Sequence, residues 1–154
     1  SSWTVPEPEF AFAISPDFRL VGVTIGNDMS ARDIEGENPL YLPQAKIYNQ
    51  CCALGPALRL IEPGQDLSSL TMRMTLFRGG QVLFQGETSL AQMKRTPQEL
   101  VEWLRRENSF PYGVILLSGT GIVPPDEVAL QDGDEVLIEV PGLGQLRNPV
   151  AKGG

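Results

Sequence analysis

The sequence predicts a mainly β fold with one or two short helices. Three observations carry that prediction. Thirteen prolines and sixteen glycines cut the chain into short segments, and most of those segments are apolar or alternating runs of strand length. Two glycine-centred tetrapeptides sit between such runs and read as hairpin turns. A single stretch carries a full set of helix-start signals.

In chain order, the candidate strands are residues 9–14, 20–25, 57–61, 71–77, 81–87, 113–118, 134–140 and 144–148. Arg78-Gly79-Gly80-Gln81 joins two of them as a tight turn, and Pro141-Gly142-Leu143-Gly144 joins two more. Thr96-Pro97-Gln98-Glu99 is a capping box with proline at the first helical position. Leu100, Val101 and Leu104 then fall on one helical face, and Asn108 is expected to end the helix before Pro111. Residues 30–49 show no clean period and read as a long irregular segment, a kind that is often functional. No repeat or internal linker divides the chain, so residues 1–154 read as one domain, large enough to bury a core.

Composition narrows the function. The net charge of −7 argues against nucleic acid, whose phosphates call for a basic face. Runs such as Val114–Leu117 are too short to span a bilayer. The opening SSWTVPEPE has neither the basic region nor the apolar core of a signal peptide. Cys51 and Cys52 are the only cysteines. Neighbours in sequence rarely form a structural disulfide, so a reducing, cytoplasmic setting is expected, with both read as small buried hydrophobes. The chain starts without Met, and its first candidate ligand is the seventh residue, so a fragment lacking an upstream segment is expected.

Three carboxylates carry the chemistry. Glu7 and Glu9 are two apart, which puts both on one face of a strand, while Phe10, Phe12 and Ile14 follow on the other parity. Asp28 stands just beyond the apolar run Leu20–Ile25. If the two runs lie side by side, the three carboxylates converge. Like charges at one point are costly unless a cation neutralises them. Oxygen-only ligation suits Mg²⁺ or Mn²⁺. The chain has no histidine, which removes the usual zinc and iron patterns and any histidine base. Taken singly, each acid also reads blandly: Glu7 and Glu9 as solvated strand residues, Asp28 as a turn residue, Asp33 as a local backbone acceptor. Lys46 alone reads as a surface lysine. Glu35 and Glu37 read as solvated charges or as contacts for substrate hydroxyls. Trp3, Trp103 and the phenylalanines read as core or interface.

Several separate motifs in order suggest a family. They are E-P-E at Glu7–Glu9, GNDMSARD at Gly26–Asp33, Lys46 before CCALGP at Cys51–Pro56, SGTGIVPP at Ser118–Pro125, and GDEVLIEVPGLGQLRNPV at Gly133–Val150. Together they resemble the C-terminal catalytic domain of the fumarylacetoacetate hydrolase family over nearly the whole chain. The resemblance implies a mixed β-sandwich roll that binds Mg²⁺ or Mn²⁺ and acts on 2-oxo acids or 1,3-diketones. It implies Glu7, Glu9 and Asp28 as metal ligands and Lys46 as the active-site lysine. It gives Thr120 as a catalytic contact to the substrate carboxylate, with Gly119 bringing backbone close and Arg32 as a polar residue near the site. It also implies a homo-oligomer, a dimer or a tetramer.

Within the family, the segment DIEGENPLYLPQAKIYNQCCALGP is similar to that of members that dehydrate 2-dehydro-3-deoxy sugar acids such as 2-dehydro-3-deoxy-D-arabinonate. That likeness implies a metal-dependent dehydratase giving a semialdehyde such as 2,5-dioxopentanoate. A hydrolase of acylpyruvates or diketones, or an oxaloacetate decarboxylase, is the alternative on the same scaffold. A non-catalytic scaffold domain is the alternative of another class. The metal cradle serves both enzymatic branches, so the cradle alone does not choose between them. Lys46 reads either as the base that removes a proton next to the keto group or as a charge that holds the substrate.

Overall fold

The computed structural model describes residues 1–153. Strands β1 (Thr4–Ile14), β2 (Leu20–Ala31), β3 (Cys52–Leu60) and β6 (Val114–Leu117) form one sheet in the order β3-β2-β1-β6. Strands β4 (Thr71–Arg78), β5 (Gln81–Ser89), β7 (Glu135–Val140) and β8 (Gly144–Pro149) form the other in the order β5-β4-β7-β8. Every pairing is antiparallel. The mainly β sandwich expected from the sequence is therefore the observed architecture, and each of the eight expected strands is present.

The parity of β1 and β2 builds the sandwich. Phe10 pairs with Ile25 and Phe12 with Val23, and all four are buried. They pack with Met72, Met74 and Leu76 of β4 and Val136, Ile138 and Val140 of β7 in one apolar cluster. Such alternation places apolar side chains between two sheets and leaves the other parity for the outer face. One polar contact ties the sheets: Asn27 Nδ2 donates to Asn148 Oδ1 at 3.0 Å. Beneath β4, Arg78 donates from Nε and Nη2 to the buried Asp134 carboxylate at 2.9 and 2.8 Å, which fixes the approach to β7.

The stretch 30–49 departs from the irregular reading. β2 continues to Ala31, because β1 offers it partners as far as Thr4. Two short helices follow, α1 (Arg32–Glu37) and α2 (Leu42–Lys46), with a 3₁₀ turn at Pro39–Tyr41 between them. The Asn38 side chain accepts from the Leu40 N–H, and Pro39 and Pro43 occupy first-turn positions. Elements of five and six residues are too short to show a helical period. Asp33 is structural as expected: it accepts from the Ile34 N–H and from Ser1 and Ser2, which anchors the start of the chain.

The capped helix is α3 (Pro97–Leu104), with both capping-box bonds formed. It stops earlier than expected, since Asn108 caps the turn after it by donating to the Leu104 carbonyl at 2.9 Å. Trp103 is 60% exposed with the Arg106 guanidinium 3.7 Å over its ring, so it is not a core residue.

Phe12 sits at the centre of the sandwich with no solvent exposure. Phe12→Ala should cost about 3–5 kcal/mol of unfolding free energy. Urea titration followed by circular dichroism should show a lower midpoint with an unchanged slope.

Candidate metal centre

The register that buries Phe10 and Phe12 puts Glu7 and Glu9 together on the outer face of β1. Glu7 pairs directly with Asp28. Each of the three carboxylates offers one oxygen, and these oxygens lie within 4.8 Å of one another. The convergence read from residue spacing is thus the geometry of the structure. Glu9 is buried, and the Glu7 and Asp28 side chains are 12% and 22% exposed.

Two cations face this cluster. Lys46, the last residue of α2, donates from Nζ to Glu7 Oε2 at 2.6 Å and lies 3.1 Å from Asp28 Oδ2. It also donates to Ser30 Oγ. Arg32, the first residue of α1, donates from Nη2 to Glu7 Oε1 at 3.3 Å. Burial by itself would lower the Lys46 pKa, but the Glu7 hydrogen bond and charge, with those of Asp28, outweigh it and hold the value above the ordinary one. Lys46 is therefore an ammonium here.

Glu9 is in the opposite position. Its Oε2 accepts the Gly119 N–H at 2.6 Å. Gly119 has φ of +86°, a region that favours glycine, and this turn aims its N–H at the carboxylate. Burial is the main cause that raises the Glu9 pKa, with the Asp28 and Glu7 charges adding to it and the Gly119 bond and Lys46 opposing it; the value is pushed up to about 7. Among the described residues, no donor reaches Glu9 Oε1 or Asp28 Oδ1. An all-oxygen cluster with free lone pairs and a carboxyl made unstable as an anion fits a hard divalent cation.

Thr120 lies next to the centre, in the turn that Gly119 opens. Its hydroxyl exchanges hydrogen bonds with the Ile122 backbone, both at 3.1 Å, and so closes its own turn. Gly119 is the residue of that turn that touches the acid cluster. The turn also lines a cavity of about 410 Å³ together with Pro8, Phe10, Lys94 and Arg95; none of the three carboxylates lines it.

Residues not singled out from the sequence complete the setting. Ser30 is fully buried and holds Lys46. Its signal was available, since Ser30 is two residues beyond Asp28 on the same strand and shares its face. Tyr48 donates to the Met29 carbonyl at 2.9 Å, and burial, helped by the Cys51 and Asp28 charges, pushes its phenol up to about 12. Cys51 is half-buried and Cys52 exposed, which corrects the reading of both as buried. Cys52 opens the edge strand β3 opposite Asp28, with no further strand beside it among the described residues. Glu37 is exposed and Glu35 partly so, and neither joins the cluster.

Comparison with known proteins places this geometry. The model of the fumarylacetoacetate (FAA) hydrolase C-terminal domain matches residues 19–151, a span that holds Asp28, Arg32 and Lys46 and begins after Glu7 and Glu9. A probable 2-keto-3-deoxyxylonate dehydratase of Haloferax volcanii is 45% identical over 97% of the chain and 52% of its own length. The 2-dehydro-3-deoxy-D-arabinonate dehydratase of Saccharolobus solfataricus is 43% identical over 99% of the chain and 51% of its own length. A solved structure of 2-keto-3-deoxy-D-arabinonate dehydratase complexed with magnesium and 2,5-dioxopentanoate superposes with a TM-score of 0.95 at 42% identity, covering 99% of this chain and 54% of that one. The chain thus spans about half the length of the curated relatives it matches.

The Glu9 carboxyl must give up its proton when a cation binds. Mg²⁺ affinity should therefore rise between pH 6 and pH 8 and level off above about 7, with proton release at the lower pH seen by calorimetry in two buffers of different ionisation enthalpy. Asp28→Ala should remove the binding heat at every pH and keep the circular dichroism spectrum. The same pKa sets a stability slope. The folded value exceeds the unfolded value of 4.5, so Glu9's contribution to the metal-free protein is full below pH 4.5 and is lost as the pH rises through about 7.

Proposed function

The chain belongs to the fumarylacetoacetate hydrolase family, and from that premise we propose that it is the catalytic part of a divalent-metal-dependent dehydratase. Its substrate is a 2-dehydro-3-deoxy sugar acid such as 2-dehydro-3-deoxy-D-arabinonate, and its product a 2-oxo semialdehyde such as 2,5-dioxopentanoate. The observation that carries this reading is the meeting of Glu7, Glu9 and Asp28 on one face of the β1–β2 hairpin. The likeness to sugar-acid dehydratases over nearly the whole chain supports the substrate class.

Glu7, Glu9 and Asp28 hold the cation in this reading, Mg²⁺ or Mn²⁺. When bound, it supplies Lewis acidity toward the keto oxygen of a 2-oxo acid. The chain's own residues do the rest. Arg32 keeps a buried Nε without a partner beside the cluster, a donor suited to the substrate carboxylate or a hydroxyl. The Gly119–Thr120 turn brings backbone to the same side, with Gly119 against Glu9. Lys46 serves the proton step: its free amine takes a proton from C3, next to the keto group, and the electrons of that bond form the C3–C4 double bond. The C4 hydroxyl departs as water with the proton that the new ammonium returns; proton shifts from C5 and its hydroxyl to C3 and C4 then give the semialdehyde. Glu7 and Asp28 hold Lys46 as an ammonium, so it acts as a base only after that hold is loosened. Diketone hydrolysis on the same scaffold would instead break a carbon–carbon bond and give two fragments.

A homodimer or a dimer of dimers completes the reading. The outer face of the first sheet supports it: Leu54, Leu58 and Leu60 of the edge strand β3 and Ile115 of the opposite edge β6 are all exposed. Apolar edges of this kind call for cover. Among the described residues no helix is long and apolar enough to cross a membrane, and a cytoplasmic setting agrees with free Cys51 and Cys52.

Two measurements test these statements. Lys46→Met should lower kcat by about 10²–10⁴-fold and abolish exchange of the C3 proton with deuterated solvent, while substrate affinity changes much less. Exchange that persists in that variant would place the base elsewhere and leave Lys46 a binding residue. Light scattering at micromolar concentration should give a mass of at least two chains; a monomer would sink the oligomer reading.

A further inference from the structure

The contacts of Lys46 point beyond a catalytic amine. Its Nζ carries three protons and meets three acceptors: Glu7 Oε2 at 2.6 Å, Asp28 Oδ2 at 3.1 Å and Ser30 Oγ. Two of these belong to the carboxylates that would hold the divalent cation. The whole donor capacity of the side chain is thus turned into the cradle. Local structure keeps it there. Lys46 ends α2, where Ala45 is fully buried and the Ile47 N–H returns to the Pro43 carbonyl at 2.8 Å. Two residues on, the Tyr48 hydroxyl is fixed to the Met29 carbonyl at 2.9 Å, on the strand that carries Asp28 and Ser30. The chain on both sides of Lys46 is tied down in this way, so its ammonium starts from the cluster and moves only on its own four-carbon stem.

We propose that Lys46 is a built-in counter-ion that competes with the divalent cation for Glu7 and Asp28. Three carboxylates alone would repel one another on the hairpin, and two fixed cations, Lys46 and Arg32, offset most of that charge. A divalent cation drawn to the same oxygens meets an ammonium a few ångströms away, and the two repel. Among the described residues Asp28 Oδ1 and Glu9 Oε1 are free of donors, but Arg32 takes Glu7 Oε1 and Lys46 takes Glu7 Oε2, so bringing Glu7 onto the cation means loosening Lys46 from it. Metal loading thereby loosens the hold that keeps Lys46 from acting as a base, and the cost of displacement weakens the metal affinity of the ligand-free protein.

This inference rests on the metal reading above, and its test separates the two. Magnesium chloride alone is titrated calorimetrically into the parent chain, Lys46→Met and Ser30→Ala, and thermal unfolding of each is followed without metal. Lys46→Met should bind Mg²⁺ about tenfold more tightly or better, since its competitor is gone, and should melt at a lower temperature without metal, since Glu7 and Asp28 lose their partner. Ser30→Ala keeps the ammonium and both carboxylates and removes one of three acceptors. It should fold and bind Mg²⁺ a few-fold more tightly, and it decides the matter if Lys46→Met does not fold. Mg²⁺ binding in the parent that is unchanged or weaker in the variants would overturn the counter-ion role and leave the metal reading standing. No Mg²⁺ binding in the parent or in either variant would overturn both.

Discussion

The register of the β1–β2 hairpin is the constraint on which the rest depends. A strand has a side-chain period of two, so a slip by one residue exchanges its faces. Burial of Phe10, Phe12, Val23 and Ile25 selects one register. At roughly 1.5–3 kcal/mol for each large apolar side chain, those four residues outweigh the repulsion that the register forces on the other face. The acid cluster is thus a consequence of the core: the pairing that sends Phe12 inward sets Glu7 opposite Asp28 and Glu9 one pleat away.

The same logic explains why counter-charges come from β2 and the elements just after it. Asp28 and Ser30 share the outer face of β2, and Arg32 follows at the first position of α1. The helical turns that succeed it double the chain back so that Lys46 reaches the face that Asp28 occupies. Within nineteen residues, 28 to 46, the sequence supplies a proposed ligand, the acceptor that positions the lysine, and both cations. The polar loop is a compact device for delivering positive charge to a point where strand geometry has gathered negative charge.

How much of this was legible in the sequence follows from the length of each signal. Strands with alternating residues and glycine turns could be read, because a period of two shows within five residues. The spacing of Glu7 and Glu9, with Asp28 beyond the next apolar run, was enough to foresee the convergence. Helix α3 was readable from the Thr96–Glu99 box, a local pattern that needs no tertiary partner. Helices α1 and α2 were not, because six and five residues hold less than two turns, and their ends are set by Asn38 and two prolines rather than by an apolar stripe. The exposure of Cys52 has no local signal, because a strand's position at a sheet edge is a property of the whole topology. Thr120 was foreseen near the site, but its hydroxyl serves its own turn, and the backbone N–H before it makes the contact.

That last contact shows how widely the centre is anchored. Glu9 receives the Gly119 N–H from the loop after β6, which is 110 residues away in sequence yet adjacent in the sheet, since β6 pairs with β1 from Ile14 to Ala11. A side chain at position 119 would have to adopt a positive φ that only glycine takes at little cost. The turn's conformation and the orientation of Glu9 are therefore one fact. Lys46 and Arg32 fix Glu7 from one side, Gly119 fixes Glu9 from the other, and the hairpin holds Asp28 between them. The carboxylates are oriented by three pieces of chain that meet only in the folded sheet, so the centre cannot exist in a partly folded protein, and binding of a cation there stabilises the fold that assembles it.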